Sequence, residues 1–552
     1  MTESARAVIA AIAEQWAVPG GAVVAVDRGG EFFSHRFGHA DVVAGIPVAP
    51  QHLFEIGSIS KVFTSIVVIR LVRHGLLRLD DSVGAILDWL PEPLQADGIT
   101  IERLLNHTAG LVASVDALPD EIGQVAAFAG GVSSAAPGTF FHYSNLGFIL
   151  LGLAARQVSG RPLVDLVRAE ILEPLEMTSS IARVTHDDYS SLARGYQPLR
   201  DDRPWAPGDP LVQAPWLEVA GADGNIAATA SDLGRFARML LGRGTLDGTS
   251  ILDDASFDTM LGSTAPDGEG VLALPGVPPT QTSRYGLGIN VETADGHTVV
   301  SHGGGMVGYA SFLLADLDDG IAVCAVTNAN GDTPVAEAMA RSVAAELRSP
   351  GTVDPNGLDP HWWDASHVED GGYTGEFADE GQRIQVSISE RDGDRVKIAV
   401  QCDDDCAPLL RTWTGNAVAR TPSLDRFALG FDDDAWHWGP RTFTRADAAM
   451  PKVPATGALE PFCGHFRSYT PWFTNFRVVQ RRGRLLLVAP GGVEAPTDDV
   501  ELVAELVGRG DWTFRIGADP RLPERITFGP PVDGLSPWAD RDGCRYSRAF
   551  TD

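Results

Sequence analysis

The chain has 552 residues and a mass of 58.7 kDa, which exceeds the size that a single hydrophobic core usually organises. We therefore expect two or three domains, and a hydrophobic content of 44% allows each of them to bury a core. The net charge of −30 would repel phosphate backbones and anionic lipid, so neither nucleic acid nor a membrane is an expected partner.

The N-terminal stretch MTESARAVIAAIAEQWAVPGG predicts a helix. It lacks a basic n-region and never reaches the apolar length of a signal peptide or a membrane span. Five cysteines scattered over a long chain argue against a disulfide framework and indicate a reducing compartment. We therefore expect a cytoplasmic protein.

The first domain is expected to be α+β, on the pattern of its elements. In chain order the patterning predicts a hairpin at 20–41, a buried helix at 60–77, two pairs of strands at 285–305 and 309–328, and a helix at 333–347. The stretch between the early and late strands is mostly helical. Residues 1–348 therefore predict an antiparallel sheet flanked by helices, with a helical subdomain beside it.

The C-terminal region predicts two further domains. Residues 349–370 have the Pro, Gly and Asp density of a linker. An aromatic-x-Gly-x-Phe motif followed by a hairpin then occurs twice, first as YTGEF and later as FCGHF. A repeated motif indicates a repeated fold, so residues 371–449 and 456–552 are expected to form two antiparallel β-barrel-like domains.

A possible nucleophile lies at the start of the buried helix, in the stretch GSISKVFTS. Ser58 and Lys61 stand three residues apart, which places their side chains on one helix face. Desolvation and the positive helix N-terminus favour a neutral lysine that accepts the serine proton. By composition alone, three lysines produce one such pair with odds of about one in six. The S-x-x-K motif therefore indicates a nucleophile only when other motifs accompany it.

Two other motifs follow it in the chain. HYSNLGF supplies Tyr143 and Asn145, the only Tyr-x-Asn among eight tyrosines, and VVSHGGGMVGY supplies His302. The serine, tyrosine and histidine are separated by 85 and 159 residues. Together with LLNHTAGL, these motifs strongly resemble the penicillin-recognising serine hydrolases, which include class C β-lactamases, DD-peptidases, D-aminopeptidases and β-lactamase-like esterases. The resemblance implies the β-lactamase/transpeptidase-like fold for the first domain.

The resemblance covers roughly residues 8–347 and implies a role for each motif residue. Ser58 would be the acylated nucleophile, and Lys61 its base or base partner. Tyr143 would relay protons to the leaving group and activate the deacylating water. Asn145 would hold a substrate amide carbonyl. His107 and its neighbours in LLNHTAGL are interpreted as structural.

The His-x-Gly motif departs from many β-lactamases and DD-peptidases, which have a lysine where His302 stands. That lysine binds a substrate carboxylate as a permanent cation, whereas histidine is mostly neutral near pH 7. β-Lactamase and carboxypeptidase activities are therefore discounted. The motif is similar to that of D-aminopeptidases, one of which also carries two C-terminal β domains, and of many esterases.

The glycines after His302 are expected to take part in substrate binding. Gly303, Gly304 and Gly305 would let the strand approach the acyl group closely. The backbone N–H groups of Ser58 and Gly305 would form the oxyanion hole.

The sequence thus predicts a serine hydrolase that forms an acyl-enzyme on Ser58. The expected substrate is a small amide or short peptide with a free amino group or a D-residue, as in a D-aminopeptidase or amidase. A carboxylesterase is the close alternative, because the cleft loops choose the leaving group. A binding or scaffold protein with an inert hydrolase domain is the alternative of another class. No metal or other cofactor is expected, and a homodimer is left open, as is restriction of the active site by the β domains.

Overall fold

The computed structural model describes residues 2–114, 120–219, 221–262, 264–329, 334–413, 415–447, 457–490, 503–510 and 512–549. The chain divides into two compact units. The first unit comprises Met1–Gln197, Val212–Pro355 and Arg521–Pro523, and the second comprises Pro198–Leu211, Asn356–Pro520 and Glu524–Asp552. Each unit is described separately below.

The helices up to residue 355 are α1 (Thr2–Gln15), α2 (Ser60–Arg73), α3 (Val83–Ile86), α4 (Ile101–Leu105), α5 (Glu121–Phe128), α6 (Asn145–Ser159), α7 (Leu163–Val167), α8 (Ala230–Leu241), α9 (Asp254–Leu261) and α10 (Val335–Arg348). Shorter helical turns are found at Gly57–Ile59, Glu92–Gln95, Arg168–Leu172 and His186–Ser191. Several of the helices begin at a capping side chain that accepts from a backbone N–H one turn later, namely at Thr100, Asp120, Ser144, Thr229 and Asp253.

The strands of the same region are β1 (Gly20–Asp27), β2 (Gly30–Asp41), β3 (Ile46–Pro47), β4 (Phe54–Glu55), β5 (Tyr196–Pro198), β6 (Leu211–Gln213), β7 (Ala227–Ala228), β8 (Thr245–Leu246), β9 (Thr249–Ser250), β10 (Thr280–Tyr285), β11 (Asn290–Ala294), β12 (His297–Met306), β13 (Tyr309–Asp316) and β14 (Ile321–Thr327). Eight of them form one antiparallel sheet in the order β10-β11-β12-β13-β14-β1-β2-β3. The predicted hairpin is confirmed, with Asp27 opposite Gly30 at its turn.

Helices cover the sheet and form a second layer, as the sequence predicts. Helices α8 and α10 pack against β13 and β14, and α1 packs against α10. In the helical subdomain, α2, α4 and α5 all pack against α6. The predicted buried helix is α2, which ends just before Gly75 at a φ of +71°. The α+β fold of the first unit is therefore confirmed.

The second unit contains β15 (Trp363–Asp364), α11 (Ala365–Asp370), β16 (Gly375–Asp379), β17 (Gln382–Asp392), β18 (Arg395–Cys402), β19 (Asp405–Arg411), β20 (Ala417–Ala419), β21 (Leu429–Asp432), β22 (Ala435–Trp438), β23 (Arg441–Arg445), a helical turn at Glu460–Phe462, β24 (Gly464–Arg467), β25 (Asn475–Arg481), β26 (Arg484–Val488), β27 (Val503–Gly508), β28 (Thr513–Ile516), β29 (Arg525–Phe528), β30 (Trp538–Arg541) and β31 (Cys544–Arg548). Strands β16 to β23 close into an eight-stranded antiparallel barrel through the β18–β19 pairing, and β15 adds to β18. Strands β24 to β31 form a second closed barrel. The two predicted β-barrel-like folds are confirmed.

The segment 349–370, which the sequence predicts to be a linker, is partly ordered as part of the first barrel. It contains β15 and α11, whose side chains Trp363 and Val368 are buried in the barrel core. The indole Nε1 of Trp363 donates to the carbonyl of Leu409 at 3.1 Å. The Pro and Gly density of this segment indicates only that it holds no long element. The other domain boundaries stay predictions.

The repeated aromatic-x-Gly-x-Phe motif has the same structure in both barrels. In the first barrel, Arg445 on the last strand pairs with Phe377 on the first strand, and its guanidinium lies 4.9 Å from the phenylalanine ring centroid. The same guanidinium donates to the carbonyls of Gly372 and Thr374. A Cβ on Gly375 would lie 2.8 Å from this guanidinium, so the glycine makes room for the arginine.

In the second barrel, Arg548 pairs with Phe466 and also lies 4.9 Å over its ring. It donates to the carbonyls of Pro461 and Cys463. A Cβ on Gly464 would lie 2.0 Å from its guanidinium. The motif therefore marks the point where the first and last strands of each barrel meet.

Among the described residues, none of the helices combines the length and the apolar composition needed to cross a bilayer.

Candidate active site

Ser58 and Lys61 are brought together at the junction between the helical turn Gly57–Ile59 and α2. The Nζ atom of Lys61 donates to Ser58 Oγ at 2.8 Å and to the backbone carbonyl of Asp223 at 3.0 Å. Lys61 has no exposed surface, and Ser58 is half-buried. The three-residue spacing has thus placed an amine directly on the serine hydroxyl.

The backbone before Ser58 lies against strand β12 at a distance that only glycine permits. Gly57 has a φ of +50°, and a Cβ on it would lie 2.6 Å from the nitrogen of Gly305. A Cβ on Gly304 would lie 2.0 Å from the carbonyl oxygen of Ile56. Glycine is therefore needed at both positions, 57 and 304, to bring the turn Gly57–Ile59, here called the nucleophile turn, next to this strand.

Gly303 differs from its neighbour in this respect. A Cβ at position 303 would meet only the Phe312 side chain, at 3.7 Å, which is an ordinary van der Waals contact. The sequence predicts that these glycines act together, but the structure requires a glycine for the close approach only at position 304 and not at position 303.

Tyr143 lies at the entrance of α6 and faces the lysine. The centroid of its ring is 4.9 Å from Lys61 Nζ and 6.5 Å from the ring centroid of His302. Ser144 caps the helix by accepting from the Gly147 N–H at 3.1 Å. This hydrogen bond fixes the position of Tyr143, which directly precedes the cap. The structure thus gathers the predicted nucleophile, lysine, tyrosine and histidine into one cluster.

Asn145 is the first residue of α6 and is buried next to this cluster. Its backbone N–H donates to the carbonyl of Ala113 at 2.9 Å, and its Nδ2 donates to the carbonyl of Ser114 at 3.3 Å. Its Oδ1 is buried without a hydrogen-bond partner among the described residues. Since Nδ2 has a second hydrogen, the side chain offers one donor and one acceptor.

His302 is buried on β12 in a neutral form. Its Nδ1 lies 2.6 Å from the carbonyl of Gly303, and because a carbonyl only accepts, Nδ1 carries the proton. Its Nε2 therefore accepts from the Tyr285 hydroxyl at 2.6 Å. Burial lowers the pKa of His302 to about 3, with Lys61 lowering it further and the Gly303 hydrogen bond opposing the shift. No permanent cation stands at this position.

Tyr285 is a site residue that the sequence reasoning missed. It is fully buried, and burial raises its pKa well above the ordinary value, so its hydroxyl stays a donor to His302. Strand register brings it there, because Tyr285 lies opposite Asn290 and Asn290 lies opposite Ser301. Only the order of three strands, which no local pattern encodes, would have identified this tyrosine.

His107 supports the tyrosine segment from both sides. Its carbonyl accepts from the His142 N–H at 2.8 Å, and its Nδ1 accepts from the Ser144 N–H at 3.0 Å. Its ring centroid lies 4.3 Å from that of Tyr143. Its Nε2 is buried without a hydrogen-bond partner among the described residues, and burial lowers its pKa well below the ordinary value. This geometry supports the structural interpretation of the residue.

Two carboxyl groups that the sequence reasoning did not single out interact electrostatically with Lys61. Burial raises the pKa of Asp223, and it raises that of Glu269 to about 8. The positive charge of Lys61 opposes both shifts. The charge of Lys61 is therefore felt by two acidic groups, which are contributed by loops far away in the sequence.

One group of side chains in the described part of the chain has the spacing of metal ligands. His297 Nδ1 lies 2.9 Å from Asp316 Oδ2 and 3.6 Å from Asp319 Oδ2. The guanidinium of Arg348 forms ion pairs with both aspartates. Since an arginine already neutralises these carboxylates, we interpret the group as a structural ion network.

Comparison with known proteins decides the family. A family model described as Beta-lactamase matches residues 6–348, which is more than half of the chain. The chain belongs to the beta-lactamase family. Its resemblance to the penicillin-recognising serine hydrolases is thereby confirmed, and so is its assignment as a hydrolase of that group.

The similar proteins include two penicillin-binding proteins. Penicillin-binding protein 4* of Bacillus subtilis (strain 168) is 27% identical over 341 residues, covering 58% of this chain and 71% of the relative. Penicillin-binding protein 4 of Amycolatopsis lactamdurans is 28% identical over 356 residues, covering 59% of this chain and 85% of the relative.

Two solved structures resemble the fold. The octameric penicillin-binding protein homologue from Pyrococcus abyssi has a TM-score of 0.58 at 21% identity and covers 80% of this chain and 99% of its own. The D-amino acid amidase from Ochrobactrum anthropi SV3 has a TM-score of 0.51 at 24% identity, covering 62% of this chain and 99% of its own. At these identities the likeness establishes the fold alone.

Proposed function

We propose that the protein is a serine hydrolase that forms an acyl-enzyme on Ser58 and cleaves a small amide or short peptide carrying a free amino group. The observation that carries the proposal is the 2.8 Å hydrogen bond between Lys61 Nζ and Ser58 Oγ, with the Tyr143 ring against the same amine. Family membership supports the acyl-enzyme chemistry.

In the acylation step, Ser58 Oγ attacks the substrate carbonyl carbon, and the neutral form of Lys61 takes the hydroxyl proton. The backbone N–H groups of Ser58 and Gly305 stabilise the resulting oxyanion. The carbon–nitrogen bond then breaks, and Tyr143 delivers a proton to the departing amine.

In the deacylation step, water attacks the ester carbonyl and gives up a proton to Tyr143. Collapse of the second tetrahedral intermediate releases the carboxylic acid, and Lys61 returns to Ser58 Oγ the proton that it took in the acylation step. The free enzyme is restored, and no oxidant or further reactant is needed.

The charges around the site support a substrate with an ammonium group. Neutral His302 offers no cation to the carboxylate of a penicillin or of a C-terminal D-alanine. Asp223 and Glu269 both interact with the charge of Lys61, and in their ionised forms these carboxyl groups are suited to an amine. The similarity to a D-amino acid amidase agrees with this choice, and preference for the D-residue is part of the proposal.

A chromogenic panel tests the proposal against the esterase alternative. p-Nitroanilides of D- and L-amino acids are compared with p-nitrophenyl esters of simple acids, each measured as kcat/KM. We expect the D-amino acid anilides to be the better substrates. Efficient ester cleavage with no anilide cleavage would overturn the amidase proposal and establish the esterase.

A second experiment separates an enzyme from a binding protein. A fluorophosphonate probe should label the wild-type chain and leave Ser58→Ala unlabelled. An unlabelled wild type would support the binding or scaffold alternative. The cytoplasmic location and the homodimer stay predictions.

A further inference from the structure

A cavity, here called the lateral cavity, lies in the helical subdomain of the first unit. Its volume is about 150 Å³, and it is lined by residues of α2, α5, α6 and α7, by Pro162, and by the segments 182–183 and 221–226. Ser58, Lys61, Tyr143 and His302 are not among the residues that line it.

Three charged side chains line the lateral cavity, namely Glu121, Arg156 and Arg183. Glu121 and Arg183 are half-buried and Arg156 is exposed. Arg183 forms an ion pair with Glu218 through Nη2 at 3.5 Å, but its Nε is buried without a hydrogen-bond partner among the described residues. The guanidinium therefore has donor capacity left over.

The acidic and basic groups of the cavity share its wall without touching. Over the described residues, no ion pair within 4.0 Å joins Glu121 to Arg156 or Arg183. Each arginine nevertheless lowers the pKa of the glutamate, while burial, Asp223 and Asp120 raise it, with a result of about 7. In this described part of the chain, the glutamate and the two arginines face one cavity but form no ion pair with each other. They therefore leave room for a ligand that has both a positive and a negative group.

The lateral cavity shares a wall with the catalytic lysine. On α2, Thr64 Oγ1 donates to the carbonyl of Ala222 at 2.6 Å, and Ser60 Oγ accepts from the Ile226 N–H at 3.1 Å. The same segment supplies the Asp223 carbonyl that accepts from Lys61. The cavity is thus a neighbour of the active site and not a part of it.

We propose that the lateral cavity binds a small α-amino acid as a zwitterion, with the carboxylate at Arg156 and Arg183 and the ammonium at Glu121. A cavity of this volume holds a molecule the size of benzene, and alanine has as many non-hydrogen atoms as benzene. The two charge requirements together select an amino acid over a simple acid or a simple amine.

Isothermal titration calorimetry on the full-length protein tests this site. The probes are L-alanine and D-alanine, with propionate as a carboxylate without the amine and ethylamine as an amine without the carboxylate. We expect at least one alanine to bind at least about tenfold more tightly than either half-ligand, since each loses a charge-assisted contact. Absence of alanine binding, or propionate binding as tightly as alanine, would overturn the proposal.

Matched variants locate the binding. Glu121→Gln should weaken alanine binding at least about tenfold and leave propionate unchanged, because only the ammonium contact is lost. Glu173→Gln is the control, since this glutamate in the same subdomain is 67% exposed and does not line the cavity. Equal losses in both variants would refute the assignment. If Glu121→Gln fails to fold, Arg183→Met serves instead and should weaken both alanine and propionate, whereas unchanged binding would refute the site.

The pH dependence gives an independent measurement. Because the carboxyl of Glu121 has a pKa of about 7, alanine affinity should rise between pH 6 and pH 8 as the carboxylate forms. The charged groups that act on this carboxyl are Asp223 and Asp120, which raise its pKa together with burial, and Arg156 and Arg183, which lower it. A constant affinity over this interval would contradict the ammonium contact.

Discussion

The two barrel closures of the second unit and the site around Ser58 in the first unit use polar groups in different ways. Arg445 donates to two backbone carbonyls and Arg548 to three, and each stacks on a phenylalanine, so both have several partners within their barrel. Asn145 and His107 each keep a buried polar atom without a hydrogen-bond partner among the described residues.

Buried polar groups in folded proteins are nearly always hydrogen-bonded, so an unpartnered one needs a reason. In the barrels, the partnered arginines stabilise a closure. Near Ser58, we propose that the unpartnered Asn145 Oδ1 is kept for a substrate. Substitutions around Ser58 should therefore change turnover more than stability, and substitutions at the barrel closures should change stability first.

The largest effect is expected for Lys61→Arg. A guanidinium does not lose its proton in proteins, so it cannot accept the proton of Ser58. The single-turnover acylation rate should fall by at least about 10⁴-fold, as fully as in Lys61→Ala. Circular dichroism and the thermal midpoint check the fold. Retention of most of the wild-type rate would rule out the lysine as proton acceptor.

Tyr143→Phe should lower turnover by about 10² to 10⁴, the usual range for a positioned acid or base. The ring and its contacts with His107 and Lys61 are kept, so the thermal midpoint should stay near that of the wild type. Steady-state kinetics with a p-nitroanilide measure the change. Normal turnover would remove the tyrosine hydroxyl from the mechanism.

The glycines of β12 offer a matched pair. In Gly304→Ala the new Cβ would lie 2.0 Å from the Ile56 carbonyl, so the strand must move away from the nucleophile turn. A displacement of about 1 Å costs about 10² in rate, and kcat should fall by that factor. Gly303→Ala makes only a 3.7 Å contact and should keep near-normal kcat. Similar losses in the two variants would contradict the close-approach argument.

How much of the site the sequence predicts depends on whether its contacts are local. The Ser58–Lys61 pair follows from helix geometry, because residues three apart share a face. The contact from Lys61 to the Asp223 carbonyl spans 162 residues, and that of Tyr285 with His302 depends on the order of β10, β11 and β12. Neither arrangement leaves a periodic pattern in the chain.

The fold follows the same rule: the elements set by local patterns could be predicted, and those set by tertiary contacts could not. Alternation and turn residues predict the hairpin β1–β2, and the repetition of the Gly-x-Phe motif predicts two similar β domains. The structure shows that each copy of the motif meets an arginine of the last strand. The short helix α11 inside the predicted linker was missed. Its order comes from packing of Trp363 and Val368 in the barrel core, a tertiary contact that composition does not show.

A smaller effect is expected at a barrel closure. Arg548→Met keeps most of the stacking area on Phe466 but leaves the carbonyls of Pro461, Cys463 and Ser536 without this donor, at a cost of about 2 kcal/mol. Differential scanning calorimetry should show a lower midpoint for the second unit. Arg484→Met is the control, since its side chain is 58% exposed, and it should change stability by less than about 0.5 kcal/mol. Equal shifts of the midpoint in the two variants would mean that the barrel closure contributes no more to stability than an exposed arginine does.

The smallest effect concerns His107, where two substitutions separate a hydrogen bond from a ring contact. In His107→Asn, the new side chain can still accept from the Ser144 N–H, and asparagine tolerates the φ of +57° at this position. In His107→Phe, a ring stays against Tyr143 but the Ser144 N–H is left without an acceptor.

We therefore expect His107→Asn to keep turnover within about tenfold of the wild type and His107→Phe to lose more, because an unsatisfied buried N–H costs about 1–3 kcal/mol and displaces the segment that holds Tyr143. A positioning role requires the loss in kcat with KM nearly unchanged, together with a shifted pH profile of kcat. If His107→Phe lowered only the thermal midpoint, the histidine would stabilise the loop without orienting the tyrosine. If His107→Asn lost more turnover than His107→Phe, the ring contact rather than the hydrogen bond would hold Tyr143 in place.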